Sequence, residues 1–174
     1  YRYLAVTNRL AVTITCPNTD KYHIYGLSNE EVPASLAGVT TLDISSDTVF
    51  DGALTGRGAL NKTGAGAFAV TGASTATGPV TVGAGAFGPA EGGTATLGNV
   101  SVAAGATLFG HGLVGGSASL ASGAFIHGGT PEAPGALQVG GALSLAAGSQ
   151  TLFRFTTLAA DTITVAGTLT ATAA

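Results

Sequence analysis

Short triplets in which two apolar residues flank a small polar one recur along the chain, as Val80-Thr81-Val82, Val100-Ser101-Val102 and Leu143-Ser144-Leu145. Alternation of this kind predicts a short strand with one buried face and one face in water. Each triplet precedes a glycine, a few small or polar residues and a large apolar residue. The marker glycines are Gly66 (before Phe68), Gly85 (before Phe87), Gly105 (before Leu108), Gly123 (before Phe125) and Gly148 (before Leu152), at intervals of 19, 20, 18 and 25 residues. A near-constant period of this length is the signature of a solenoid, whose units bury their apolar faces by stacking. The long interval contains His127 to Gly135, rich in glycine and proline, and predicts a loop added to an ordinary repeat.

The pattern therefore predicts an all-β fold, a single-stranded parallel β-helix (β-solenoid) with a divergent N-terminal capping segment. Rungs begin at Val39, with strands over 40–44 and 48–50 before the glycine-punctuated repeats. The predicted inward positions of the first half are Leu42, Ile44, Val49, Leu54, Leu60, Phe68, Val70, Val80, Val82, Phe87, Leu97, Val100 and Val102. Those of the second half are Leu108, Leu113, Leu120, Phe125, Leu137, Val139, Leu143, Leu145, Leu152, Phe155, Ile163, Val165 and Leu169. Piled rung over rung they would form one shaft, each fully buried side chain contributing about 1.5–3 kcal/mol.

Composition sharpens this picture. The chain has 174 residues, of which 28 are glycine and 9% are charged, with no Trp and no Met. Glycine, threonine and valine disfavour long helices, and no capped 3.6-residue stripe is present. The absence of a strict glycine triplet excludes collagen, and 45% hydrophobic content argues against disorder. Charge divides the chain into two zones. Residues 1–51 hold nine of the fifteen charged side chains, all four tyrosines and Cys16, whereas 52–174 hold six charges that sum to zero. The predicted organisation is a 1–51 strand and cap segment followed by a 52–174 repeat region. Within the first zone, strands are expected over 1–7, 10–16 and 22–25, a turn over 17–20 and a polar loop over 28–33. Residues 1–35 suit the atypical, more charged cap that an open stack end needs.

At this point the residues resemble a known family. Gly56-Arg57-Gly58-Ala59-Leu60-Asn61-Lys62-Thr63-Gly64-Ala65-Gly66-Ala67-Phe68-Ala69-Val70-Thr71-Gly72 is similar to the passenger-associated β-strand repeat of bacterial autotransporters, and Thr77-Gly78-Pro79-Val80-Thr81-Val82-Gly83 continues it. Residues 100–108 and 161–169 resemble later rungs of such passengers, so the likeness spans roughly 52–170. The resemblance implies a right-handed parallel β-helix on the bacterial cell surface, with a structural or adhesive role, contact with a host or matrix surface, and final rungs that assist folding during export.

Candidate chemistry is sparse. A net charge of −3 with six scattered Lys and Arg offers no basic stripe, which disfavours nucleic acid. No run of about 18 apolar residues predicts a membrane span. No signal peptide is visible, and the first residue, Tyr1, predicts a processed or excised segment. Cys16 has no second cysteine to pair with and reads as a small buried hydrophobe. Asp43, Asp47 and Asp51 lie four residues apart and would share a face of one strand, as in polysaccharide-cleaving β-helices, but Ser45-Ser46 and Gly52 place them at separate turns. His111 and His127 lie sixteen residues apart, close to one rung, yet out of register for a stacked metal pair, and His23 reads as a surface strand residue. Arg57, Lys62 and Arg154 read as isolated solvated charges. Asn61-Lys62-Thr63 and Asn99-Val100-Ser101 match the short glycosylation pattern, which recurs by chance.

No catalytic, cofactor or metal residues are assigned. The expectation is a non-catalytic extracellular structural protein, a stalk or self-assembling filament subunit. Its strand ends would associate through Tyr1, Tyr3, Val6, Ile163, Val165 and Leu169, the last rung over 162–170 pairing with 1–7 of a neighbour. The alternatives are a polysaccharide-binding or polysaccharide-cleaving β-helix, which the lack of Tyr and Trp in 52–174 disfavours, or a folding-assisting segment of a longer passenger.

Overall fold

The computed structural model describes residues 11–14, 34–36, 38–90, 96–130 and 132–173. The described residues are all-β, without a helix, and mostly parallel strands build stacked sheets. Two strands come first, β1 (Ala11–Ile14) and β2 (Ala34–Leu36). A first repeat holds β3 (Val39–Asp43), β4 (Thr48–Phe50) and β5 (Leu54–Gly56), and a second holds β6 (Ala59–Thr63) and β7 (Ala67–Val70). The third holds β8 (Val80–Val82), β9 (Ala86–Pro89) and β10 (Thr96–Leu97); the fourth holds β11 (Val100–Val102), β12 (Thr107–Gly110) and β13 (Gly112–Val114). The fifth holds β14 (Ala118–Leu120), β15 (Phe125–Gly128) and β16 (Ala136–Val139). The sixth holds β17 (Leu143–Leu145), β18 (Gln150–Leu152) and β19 (Thr162–Val165), after which β20 (Leu169–Ala171) closes the described chain.

From the third repeat to the sixth, each repeat gives one strand to each of the three larger sheets. The largest sheet has the order β1-β3-β6-β8-β11-β14-β17-β20, the second β18-β15-β12-β9-β7-β4, the third β10-β13-β16-β19, and β2 pairs with β5. All pairs are parallel except β1 with β3, where Ala11 to Ile14 run antiparallel against Asp43 to Thr40. Parallel partners lie 17 to 26 residues apart in sequence, as in Leu97 with Val114, Val80 with Val100 and Leu143 with Leu169. The predicted triplets at 80–82, 100–102 and 143–145 are strands with the expected bounds. The predicted strands over 1–7 and 22–25, the loop over 28–33 and Cys16 lie outside the described residues.

Parallel in-register pairing sets like against like. Phe50, Phe68 and Phe87 stack with centroid separations of 5.9 and 6.0 Å and interplanar angles of 27° and 23°, a favourable offset geometry. Leu60, Val80 and Val100 follow one another in the largest sheet, and buried residues of all the sheets join one apolar cluster. The turn out of the largest sheet uses a left-handed glycine in successive repeats. At Gly85, φ is 64°, and an added Cβ would overlap the Lys62 ammonium and the Gly66 carbonyl oxygen, so both conformation and space demand glycine there.

Several predicted inward positions are corrected. In β4 the flanking Thr48 and Phe50 are buried and Val49 is 55% exposed, because a three-residue strand buries either its middle or its ends and this phase places Phe50 on the aromatic ladder. In β15 Ile126 pairs with Leu108 and is buried, leaving Phe125 half-buried. In β13 Val114, paired with Leu97, is buried in place of Leu113. Leu152, Phe155 and Leu169 are exposed and Ile163 and Val165 only half-buried, because they belong to the last repeat or to β20, over which no described strand lies; Leu145, half-buried as well, is covered only by Ala171 of β20.

Phe68→Ala is expected to cost about 3–5 kcal/mol, because it empties the middle of the Phe50–Phe87 stack, whereas Val49→Ala should stay within about 0.5 kcal/mol. Urea denaturation of the two variants checks this.

Candidate interface at the outer edge of the last repeat

Several of the polar residues singled out in the sequence hold repeats together. Asp43 ends β3, Asp47 lies in the bend before β4 and Asp51 follows β4. Asp43 accepts a hydrogen bond from the Thr63 hydroxyl at 3.1 Å and Asp47 one from the Ala67 amide at 2.8 Å, each in the next repeat. The three stand at separate positions around one repeat, two of them bonded to its neighbour.

Lys62 departs furthest from expectation. Its side chain is fully buried, because β6 turns it inward beneath the corner occupied by Gly64, Gly66 and Gly85. The ammonium donates to the carbonyls of Gly64 at 2.6 Å and Ala84 at 2.9 Å, and to that of Gly66, tying two repeats at one corner. Burial lowers its pKa to about 8 against the opposing pull of Asp43 and Asp47. Nothing in the alternation distinguishes this position from an inward valine; paired Val82 occupies it one repeat later.

The second polar cluster lies in the corner loops that lengthen the fifth and sixth repeats. Asp161, its side chain fully enclosed, accepts hydrogen bonds from the Arg154 amide at 2.9 Å, the Arg154 Nε at 3.2 Å and the Gly135 amide at 3.0 Å. Burial alone would raise its pKa, but the hydrogen bonds from the Arg154 backbone and guanidinium and from Gly135 outweigh it and hold the carboxyl below its usual value. Arg154 Nη2 donates to the carbonyls of Gly128 and Ala133, each at 3.1 Å, and lies 3.4 Å from His127 Nδ1. Arg154 is thus a latch rather than the solvated charge expected of it. His127 stacks on Phe109 at 5.9 Å, two positions before His111 in the ladder, so the two histidines are offset. The His111 ring lies against Gly135, where any Cβ would overlap it. Among the described residues no three His, Cys, Asp or Glu side chains gather as metal ligands, and no helix is long and apolar enough to cross a membrane.

The remaining candidate is an edge. β18, β19 and β20 are the outermost strands of their sheets. Ile163 and Val165 pair with Leu137 and Val139, and Leu169 pairs with Leu143, so these three predicted association residues do come to one edge. Tyr1, Tyr3 and Val6 lie outside the described residues. Unpredicted are the side chains of the corner loop between β18 and β19, where Phe153 is exposed, Phe155 is 76% exposed and Leu158 is 96% exposed. That loop is internally fixed: Thr156 and Ala159 bond through backbone and hydroxyl, Phe155 bridges Ala160, and Asp161 and Arg154 close its base. Its signal in the sequence is Leu152-Phe153-Arg154-Phe155, where the apolar alternation loses its small partners.

No family model, curated protein or solved structure matches the chain.

Two titration experiments test the corners. Between about pH 8 and 10.5 the folded chain sheds the Lys62 proton while the unfolded chain keeps it, so stability should rise with pH across that window and be flat below it. Lys62→Met should remove that rise, as read by denaturation midpoints. Asp161→Ala strands buried donors and should cost about 1–3 kcal/mol at neutral pH, a difference that shrinks on acidification below the ordinary carboxylate pKa of about 4, where the unfolded chain takes up a proton that the folded Asp161 still refuses.

Proposed function

We propose that the chain is a β-solenoid whose work is mechanical: a stiff, non-catalytic element of a stalk, surface layer or filament. In this reading each repeat is one coil, its strands form the sides, and Phe50, Phe68 and Phe87 mark the shaft. The observation that carries it is the unbroken in-register parallel pairing from β3 to β20, with like residues over like. Such a ladder offers few local openings to a protease. The resemblance of 52–170 to autotransporter passenger repeats supports a place on a bacterial cell surface, where a role in adhesion to a host or matrix, or in folding a longer passenger, follows from the same scaffold.

An enzymatic reading on polysaccharides gains less. Asp43 and Asp47, the carboxylates it would need, are bonded to the neighbouring repeat, and the repeat region carries no Tyr or Trp for sugar stacking.

Limited proteolysis combined with a reducing-sugar assay on acidic polysaccharides tests the proposal. The expected result is resistance throughout the described residues of 38–152 and no sugar release. Turnover that Asp43→Ala or Asp47→Ala abolishes would replace it with the enzymatic reading.

A further inference from the structure

We infer that Asp51 is a site of spontaneous covalent modification: its carboxyl closes on the Gly52 amide, and the ring reopens to leave an isoaspartyl link in the corner after β4. The reaction is intramolecular and needs no co-reactant but water. The Gly52 nitrogen attacks Asp51 Cγ and gives up its proton, the hydroxyl of the protonated carboxyl leaves as water, and a five-membered succinimide forms. Water then adds to one of the two ring carbonyls and breaks that carbon's bond to nitrogen. Opening at Cγ restores aspartate. Opening at the other carbonyl routes the main chain through the side-chain carbons and leaves a free α-carboxylate, an isomer of unchanged mass.

Such a ring needs a carboxyl free to turn, a following residue with no Cβ in the way, and a following amide not held in a hydrogen bond. The described aspartates are Asp43, Asp47, Asp51 and Asp161. Asp43 accepts from the Thr63 hydroxyl, and the Ile44 amide after it donates to the Thr63 carbonyl at 2.9 Å. Asp47 accepts from the Ala67 amide and precedes the buried, β-branched Thr48. Asp161 is enclosed by Arg154 and Gly135, and the Thr162 amide after it donates to the Gly135 carbonyl at 2.8 Å. Asp51 alone meets all three conditions. It is exposed, its carboxylate makes no hydrogen bond or ion pair among the described residues, and the Gly52 amide donates to none of them. The position bears on the fold as well. Phe50, the residue before it, begins the aromatic ladder, and its carbonyl accepts from the Thr71 amide at 2.8 Å. Gly72 packs so closely on the Asp51 and Gly52 carbonyl oxygens that a Cβ there would overlap both. An isoaspartyl link adds one methylene to the main chain in this corner, which has no room for it, so β4 and β5 are held less well and the first repeat loosens as the protein ages.

The test is to age the folded chain for weeks at neutral pH and physiological temperature, then map its peptides by mass spectrometry with electron-transfer fragmentation, which distinguishes isoaspartate from aspartate. Isoaspartate is expected to accumulate at Asp51, through a species one water lighter, and to stay at background at Asp43, Asp47 and Asp161. Asp51→Glu, which would have to close a six-membered ring, should abolish the signal. Asp51→Asn, which loses ammonia in place of water, should reach the same isoaspartyl product sooner. Both replace an exposed side chain without partners, so far-UV circular dichroism should show both folded. After ageing, the unsubstituted chain should unfold at lower urea than equally aged Asp51→Glu, although the fresh proteins match. An Asp51 that stays intact in the folded chain while it isomerises in urea would overturn the inference, because the corner would then hold carboxyl and amide apart. Isoaspartate spread evenly over the four aspartates would overturn it too, and equal urea midpoints for the two aged proteins would overturn the loosening.

Discussion

Register is the constraint on which this structure depends. Parallel pairing places each residue over its counterpart in the preceding repeat, and a shift of one residue would send the whole apolar row to the solvent face. An inward position is therefore a column, and what one repeat puts there must pack on what the next one does. Leu60, Val80, Val100, Ala118 and Leu143 form one such column and Phe50, Phe68 and Phe87 another. Columns tolerate variation in length between them, which is why repeats of 18 and of 26 residues coexist: extra residues leave at a corner and the next strand re-enters in phase. The two longest repeats do this at the same corner, where loop lies on loop through Asp161 and Gly135.

Corners carry the polar cost of the fold. A turn between sheets strands carbonyl and amide groups that no ladder satisfies, and side chains from adjacent repeats take them up. Lys62 supplies an ammonium to three such carbonyls, Asp161 a carboxylate to two amides and a guanidinium, and Asp47 an acceptor to a single amide. A chain with so few charges has placed several of them where they join one repeat to the next, which leaves its faces to Ser, Thr and Ala. The proposed mechanical role fits such faces.

Much of the architecture was legible in the alternation and in the glycine period. The triplets at 80–82, 100–102 and 143–145 gave strands with correct bounds, because both flanking residues are large and the middle one is small and polar. Where two large apolar residues are adjacent, alternation cannot choose the phase: Val49 beside Phe50, Leu113 beside Val114 and Phe125 beside Ile126 were each decided by the column above and below. Lys62 was illegible for a related reason, since a lysine at an inward parity is buried only if a corner offers it carbonyls, and that corner comes from residues 64, 66 and 84 together. Leu152 at the end of β18 and Phe155 in the loop after it look like inward residues until the loop length is known. For the candidate edge, Ile163, Val165 and Leu169 were found by position in the period, while Phe153, Phe155 and Leu158 needed the loop itself.

The most direct test of stacked coils is a distance along the largest sheet. Thr41 and Thr170 belong to one outward row, linked through Asn61, Thr81, Ser101, Ser119 and Ser144, and six strand spacings put them roughly 29 Å apart. Spin labels on Thr41→Cys and Thr170→Cys, in a Cys16→Ser chain diluted with unlabelled protein, should give one narrow electron–electron distance near that value, allowing for the label arms. A much shorter distance, as when a sheet curls until its first and last strands meet, or a broad distribution would contradict the account.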